Sequence, residues 1–142
     1  MTDVYNLQRF LVAQEPVYDT VLDELRAGRK VSHWIWFIFP QITGLGRSGM
    51  AQKFAIASLE EAKAYLQHPV LGPRLRACTQ LVLNVHGRSA EQILPSPDNL
   101  KFRSCMTLFM TATTNNKIFQ DALLKYFHGK PDTLTLDLLA HR

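Results

Sequence analysis

Between Ser32 and Gly49 the chain reads Ser-His-Trp-Ile-Trp-Phe-Ile-Phe-Pro-Gln-Ile-Thr-Gly-Leu-Gly-Arg-Ser-Gly, and this stretch concentrates residue types that could bind or transform a ligand. His33 could serve as a general acid or base, because an imidazole exchanges its proton near neutral pH. Arg47 offers a planar, two-pronged donor suited to phosphate or carboxylate. The glycines around it allow close backbone approach, and Ser48 stands where a helix starting near Gly49 needs a cap. Trp34 could stack on a base or sugar, and Gln41 follows the proline that ends the apolar run. Farther along, Lys101, Arg103, Ser104 and Thr107 share the polar side of one helical pattern. If that side folds toward Arg47, then Arg47, Arg103 and Ser104 form a pocket for an anion. The candidate ligand-binding set is therefore His33, Trp34, Gln41, Arg47, Ser48, Arg103 and Ser104, with His33 the candidate catalytic group.

Other chemistries find little support. Gly44-Leu-Gly46-Arg-Ser-Gly49 matches the dinucleotide fingerprint letter for letter. That fingerprint, however, needs a crossover helix and then an acidic residue about 20 positions on, at the end of the next strand. Glu60 and Glu61 come too early and stand in a helix cap. Neither the histidines nor Cys78 and Cys105 fall at metal-ligand spacing, so no metal site is expected. Ser32, Ser48 and Ser104 lack a nucleophile motif. No carboxylate pair is visible either, since Asp19, Asp23 and Glu24 fall on the solvent side of their helix and Asp121 and Asp137 read as exposed. No cofactor is expected.

The elements that must position these residues read as helices. Leu7, Phe10 and Leu11 mark one over Asn6 to Gln14, ended by Pro16. Val17, Val21 and Leu25 mark a second, stopped by Gly28. The run Trp34 to Phe39 fits strand or helix; a short buried helix is preferred because few strands elsewhere could pair with it. Met50 to Ala57 is helix-compatible, and Ser58-Leu-Glu-Glu61 reads as a capping box for the next helix. Leu71, Leu75, Cys78, Val82 and Val85 line one face of a long helix that follows His68-Pro69. Ser89-Ala-Glu-Gln92 is a second capping box. Ser96-Pro97 reads as cap and first helical position for the helix carrying Phe102, Cys105, Met106, Phe109 and Met110, whose polar side is expected to be solvated. Ile118, Phe119, Ala122, Leu123, Tyr126 and Phe127 form another stripe, and Asp132 caps a last helix. The expectation is an all-α, compact bundle of about six to eight short helices, a single domain over residues 1–142.

Composition agrees with that class. A chain of 142 residues with 46% hydrophobic and 20% charged residues suits one globular core. The longest apolar run is far too short to span a bilayer, and the N-terminus lacks the pattern of a signal peptide, so a cytoplasmic protein with reduced, buried cysteines is expected. The net charge of +4 invites a nucleic-acid partner, but the cations are scattered among acids, which disfavours that role.

Taken together, Asn6-Leu-Gln-Arg-Phe10, Ser32-His-Trp-Ile-Trp-Phe-Ile-Phe-Pro-Gln41, Gly44-Leu-Gly46-Arg-Ser48, His68-Pro-Val-Leu-Gly-Pro-Arg-Leu75 and Lys101-Phe-Arg-Ser-Cys-Met-Thr-Leu-Phe109 resemble the bacterial domain-of-unknown-function family 1810. The resemblance spans nearly the whole chain and implies an all-helical cytosolic bacterial protein without an established activity. Some members carry a calpastatin-like name, which implies a long disordered inhibitor and conflicts with the helical patterning here. Ala51-Gln-Lys-Phe54 and Pro69-Val-Leu-Gly72 bear a fainter likeness to the domain family acting on ADP-ribose and related N-glycosidic bonds, although the acidic motif of that family has no clear counterpart. The functional expectation is a small anionic or nucleotide-derived ligand bound near the two central segments. The alternatives are a hydrolase of an ADP-ribose-like bond, and a protein-protein interaction module that could also form a homo-oligomer.

Overall fold

Prolines, glycines and capping side chains divide the chain much as their chemistry requires. The computed structural model describes residues 3–141, which form ten helices and no strand: α1 (Gln8–Gln14), α2 (Tyr18–Arg26), α3 (Ile35–Ile38), α4 (Gly49–Lys53), α5 (Leu59–Gln67), α6 (Leu71–Leu83), α7 (Ala90–Ile93), α8 (Asp98–Ala112), α9 (Lys117–Phe127) and α10 (Thr133–Ala140). The all-helical expectation holds, and the count rises to ten because α3, α4 and α7 are single turns of four or five residues. The aromatic run resolves as helix. Gly28 leaves α2 with φ +77°, a conformation open to glycine, and an added Cβ there would also press on Val85 at 3.2 Å.

α8 is the central element. Every residue from Ser104 to Phe109 is buried, so this helix is wrapped on all sides by α3, α5, α7, α9 and α10. Its polar side is therefore only partly solvated, with Lys101 and Arg103 half-buried, where the sequence pattern suggested solvent throughout. Ser104 and Thr107 are enclosed, and each hydroxyl donates to the carbonyl four residues back, Leu100 and Arg103 respectively. Aromatic rings tie the layers together. Phe10 meets Tyr65 edge-on at 5.0 Å, Tyr65 lies 5.3 Å from Phe109, and Phe39 meets Phe102 edge-on at 4.8 Å. Each such ring, taken fully out of water, contributes about 1.5–3 kcal/mol.

Three local expectations are corrected by long-range contacts. The helix expected over Met50 to Ala57 stops at Lys53, because the backbone beyond it is drawn into a parallel bridge between Ile42 and Ile56. The Ile56 N–H donates to Gln41 O at 2.8 Å, and the Thr43 N–H donates to Ile56 O at 2.9 Å. At Ser58 the hydroxyl caps Glu61 N–H, but the Glu61 carboxylate accepts from Ala57 N–H and from Arg9 and does not close a capping box. Ser89 and Gln92 do form the reciprocal box. Finally, Pro97 rather than Ser96 occupies the cap position of α8, so that helix begins at Asp98.

Candidate functional site

The polar entry to the aromatic run is organised by an acidic residue that sequence reading had placed in solvent. Glu24, on α2, accepts four hydrogen bonds: to Oε1 from Val31 N–H (2.7 Å), Ser32 N–H (2.9 Å) and the Trp34 indole (3.0 Å), and to Oε2 from the Ser32 hydroxyl (2.6 Å). Burial pushes this carboxyl upward. The hydrogen bonds from Ser32, Val31 and Trp34 more than offset that and hold it at about 2. Trp34 is consequently locked, only 1% exposed, with Lys30 Nζ 5.1 Å from its ring centre. Its ring has no free face for a ligand. At the other end of α3, the Phe37 carbonyl accepts from the buried Gln14 amide at 2.7 Å.

The chain then makes an excursion from Ile42 to Ile56 whose neck is the parallel bridge. Arg9 clamps its returning limb, donating to Lys53 O (2.9 Å), Ala55 O (2.8 Å) and Glu61 Oε2 (2.8 Å), and also to Tyr5 O and Asn6 O. Within the excursion Gly46 packs so tightly on α4 that an added Cβ would lie 2.4 Å from Ala51 Cβ. The glycine loop thus acts as a tight fold-back, with Ser48 capping α4 through Ala51 N–H.

Two cavities open beside this loop, each of about 340 Å³. The first is walled by Trp36, Gln41, Gly44, Gly46, Gln52 and Phe54 with their neighbours, and the second by Gln41, Gly46, Lys101, Arg103, Ser104 and Asp132 with Leu45, Pro97, Leu100 and Leu134. Gln41 and Gly46 belong to both, and Lys101 Nζ lies 5.3 Å from the centre of the Trp36 ring, so the two cavities share part of their walls. In the second cavity Arg103 is braced by donation to Lys130 O (3.0 Å) and Pro131 O (3.3 Å), and its Nη1 has no hydrogen-bond partner among the described residues. Asp132 is committed to Thr135 and Ser104 through Oδ2. Lys101 shares Asp98 with Lys30, at 3.8 Å against 2.7 Å, so the shorter contact goes to Lys30.

The fold therefore gathers Gln41, Arg103 and Ser104 from the sequence candidates and keeps the others apart from them. His33 is exposed and lies outside both cavities; Trp34 is sealed in the core; Arg47 and Ser48 are exposed, next along the loop from Gly46. Sequence reasoning missed Trp36 and Glu24, and did not assign Lys101 to the pocket. Lys101 and Arg103 stand two positions apart on α8, a spacing that does not by itself share a face, and nothing local separates the role of Trp36 from that of Trp34. Among the described residues no cluster of His, Cys, Asp and Glu suits a metal ion, and no helix is long and apolar enough to cross a membrane.

A family model described as "Protein of unknown function (DUF1810)" matches residues 4–139. The chain is also similar to the conserved hypothetical protein Rv1873 from Mycobacterium tuberculosis, whose crystal structure it matches at 56% sequence identity with a TM-score of 0.96, covering 97% of this chain and 99% of that chain. No curated protein matches it.

Proposed function

The chain belongs to the DUF1810 family, whose description assigns no activity, and from that premise we propose that it binds a small anionic ligand in the cleft between the glycine loop and α8. The observation that carries this reading is the cationic wall made by Lys101 and Arg103. Both line one cavity, the Arg103 guanidinium is braced and keeps an Nη1 without a partner among the described residues, Asp98 is paired with Lys30, and Asp132 in the same wall accepts through Oδ2 from Thr135 and Ser104. A preorganised arginine loses little freedom on meeting phosphate or carboxylate, which is how a modest site gains affinity. The hydrolytic alternative gains nothing, because its candidate acid or base, His33, stands outside the cleft.

The test is a calorimetric titration of the full chain with inorganic phosphate, pyrophosphate and nucleoside monophosphates. Lys101→Met keeps the aliphatic stem against Trp36 and removes the charge. The expected result is saturable binding that weakens about tenfold in this variant, the loss of one charge-assisted contact. Unchanged affinity in Lys101→Met, or no binding by any of these anions, overturns the reading. Leu100 and Leu134, each 53% exposed at the same cavity, favour a second reading in which an apolar and acidic partner segment docks there. In that case an acidic peptide with two leucines binds in competition with phosphate.

A further inference from the structure

We infer that the cavity walled by Lys101, Arg103 and Asp132 takes a free α-amino acid with an aliphatic side chain, its carboxylate on the two cations and its ammonium on Asp132. This deepens the anion-binding reading and rests on it for the carboxylate. The wall carries both signs of charge, with Lys101 and Arg103 on α8 and Asp132 at the cap of α10. Neither cation forms an ion pair with Asp132 among the described residues, since Lys101 pairs with Asp98 and Arg103 donates to the carbonyls of Lys130 and Pro131. Opposite charges that share a cavity wall without closing on each other suit a ligand that carries both. A phosphate dianion there meets the Asp132 carboxylate as well as the cations, whereas a zwitterion satisfies both sides at no net charge.

The unpartnered polar atoms of this wall are within reach of a ligand. Among the described residues the buried side-chain atoms without a hydrogen bond are Trp36 Nε1 and Asn99 Oδ1, so Arg103 Nη1, Asp132 Oδ1 and the Gln41 amide, equally without a partner, are open to solvent. The side chains that carry the charges are fixed. Arg103 is braced on the segment before α10, and Asp132 Oδ2 accepts from the Thr135 N–H at 3.0 Å and from its hydroxyl at 2.6 Å. The Asp132 N–H donates to the buried Thr107 hydroxyl at 2.8 Å, which ties that segment to α8. The rest of the wall is aliphatic. Leu45, Pro97, Leu100 and Leu134 line the same cavity, and Leu100 and Leu134 are exposed, so a hydrocarbon side chain laid against them removes apolar surface from water on both partners. At about 30 Å³ per non-hydrogen atom, the share of a water molecule in the liquid, a cavity of about 340 Å³ holds roughly ten such atoms. An amino acid of leucine's size fills it.

The experiment titrates the full chain calorimetrically with leucine, glycine, leucinamide, inorganic phosphate and isocaproate, which is leucine without its amino group, in the native protein, Asp132→Asn and Lys101→Met. Asparagine keeps the cap of α10 and removes the charge. In the native protein leucine is expected to bind at least tenfold more tightly than any of the others. Asp132→Asn should weaken leucine about tenfold and leave isocaproate no weaker, a contrast that general damage to the fold does not produce. Lys101→Met should weaken leucine, isocaproate and phosphate alike. If isocaproate or phosphate binds the native protein as tightly as leucine, or Asp132→Asn leaves leucine unchanged, the amino-acid inference fails and anion binding stands. If glycine matches leucine, the aliphatic wall takes no part and the inference fails in the same way. If none of them binds, or leucinamide matches leucine and Lys101→Met changes nothing, the anion reading fails, and the amino-acid inference with it. An acidic peptide with two leucines that binds where leucine does not also overturns the inference, and assigns the cavity to a protein partner. The comparison of ligands on the native protein keeps the test decisive even if Asp132→Asn is unstable.

Discussion

Replacing Glu24 by glutamine is the perturbation whose outcome can be worked most fully from the structure. The carboxylate is held at about 2 against an ordinary 4.5, because four donors converge on it. Such a depression corresponds to roughly 3 kcal/mol of differential stabilisation at neutral pH, and since Glu24 is only half-buried, solvent screening lowers this to about 2 kcal/mol. Glutamine keeps an acceptor for Val31, Ser32 and Trp34 and lets the Ser32 hydroxyl turn to accept, so the charge is the main thing removed. At pH 7, Glu24→Gln should unfold in urea with a loss of about 2 kcal/mol, or some 6 °C in Tm for a chain of this size. The sign of the pH dependence follows from the lowered value. The charged carboxylate stabilises the fold above its unfolded value of 4.5, and that contribution is lost as pH falls toward 2. The difference between native and variant proteins should therefore shrink steadily from pH 5 to about pH 2.5. Equal stability at pH 7, or a gap that stays constant down to pH 2.5, refutes the argument that Glu24 organises Ser32 and Trp34 by its charge.

Other outcomes follow from the packing. Gly72→Ala would place a Cβ 2.0 Å from the Leu66 carbonyl oxygen, backbone that cannot turn aside, so α5 and α6 must separate; a loss of about 3 kcal/mol or more is expected in urea denaturation. Arg9→Ala should cost about 3–5 kcal/mol, because it strands the buried Glu61 and frees the carbonyls of Lys53 and Ala55. A double-mutant cycle with Glu61→Gln should recover part of that loss, and strictly additive effects would contradict the coupling. Burial pushes the Cys78 thiol up to about 12 and Cys105 well above its ordinary value, so neither should react with a disulfide reagent at pH 8 in the native state, while both react in denaturant.

The cleft also explains why the conspicuous tryptophan of the sequence is not the interesting one. Trp34 and Trp36 stand two residues apart on either side of the start of α3, and the turn of that helix sends one indole to Glu24 and the other to the cavity wall. The first is part of the scaffold, and the second lines the cavity beside the glycine loop.

Much of the architecture is already determined by the chain read alone. Apolar residues at helical spacing identified the buried faces of α2, α6, α8 and α9, because burying a stripe requires that spacing whatever the partner. Pro16, Gly28, Ser48, Ser89, Gly129 and Asp132 marked boundaries or caps, since those effects act within one turn of backbone. Arg103 and Ser104 were expected to meet Arg47, whereas the structure places Gln41 and Gly46 beside them in the cavity wall. What the tertiary structure decided was the fate of the polar groups. Glu24 looked solvent-facing on its own helix and finds its donors on the segment that follows. Arg9 meets Glu61 across more than fifty residues. Ser104 and Thr107 are enclosed because α10 folds over them, and Ala55 to Ala57 leave the helix for a bridge with Ile42. A hydrogen bond needs a partner within about 3 Å in a set direction, and periodicity records only which side of an element is apolar. That Trp36 lines one cavity and Lys101 its neighbour is therefore a property of how the helices meet.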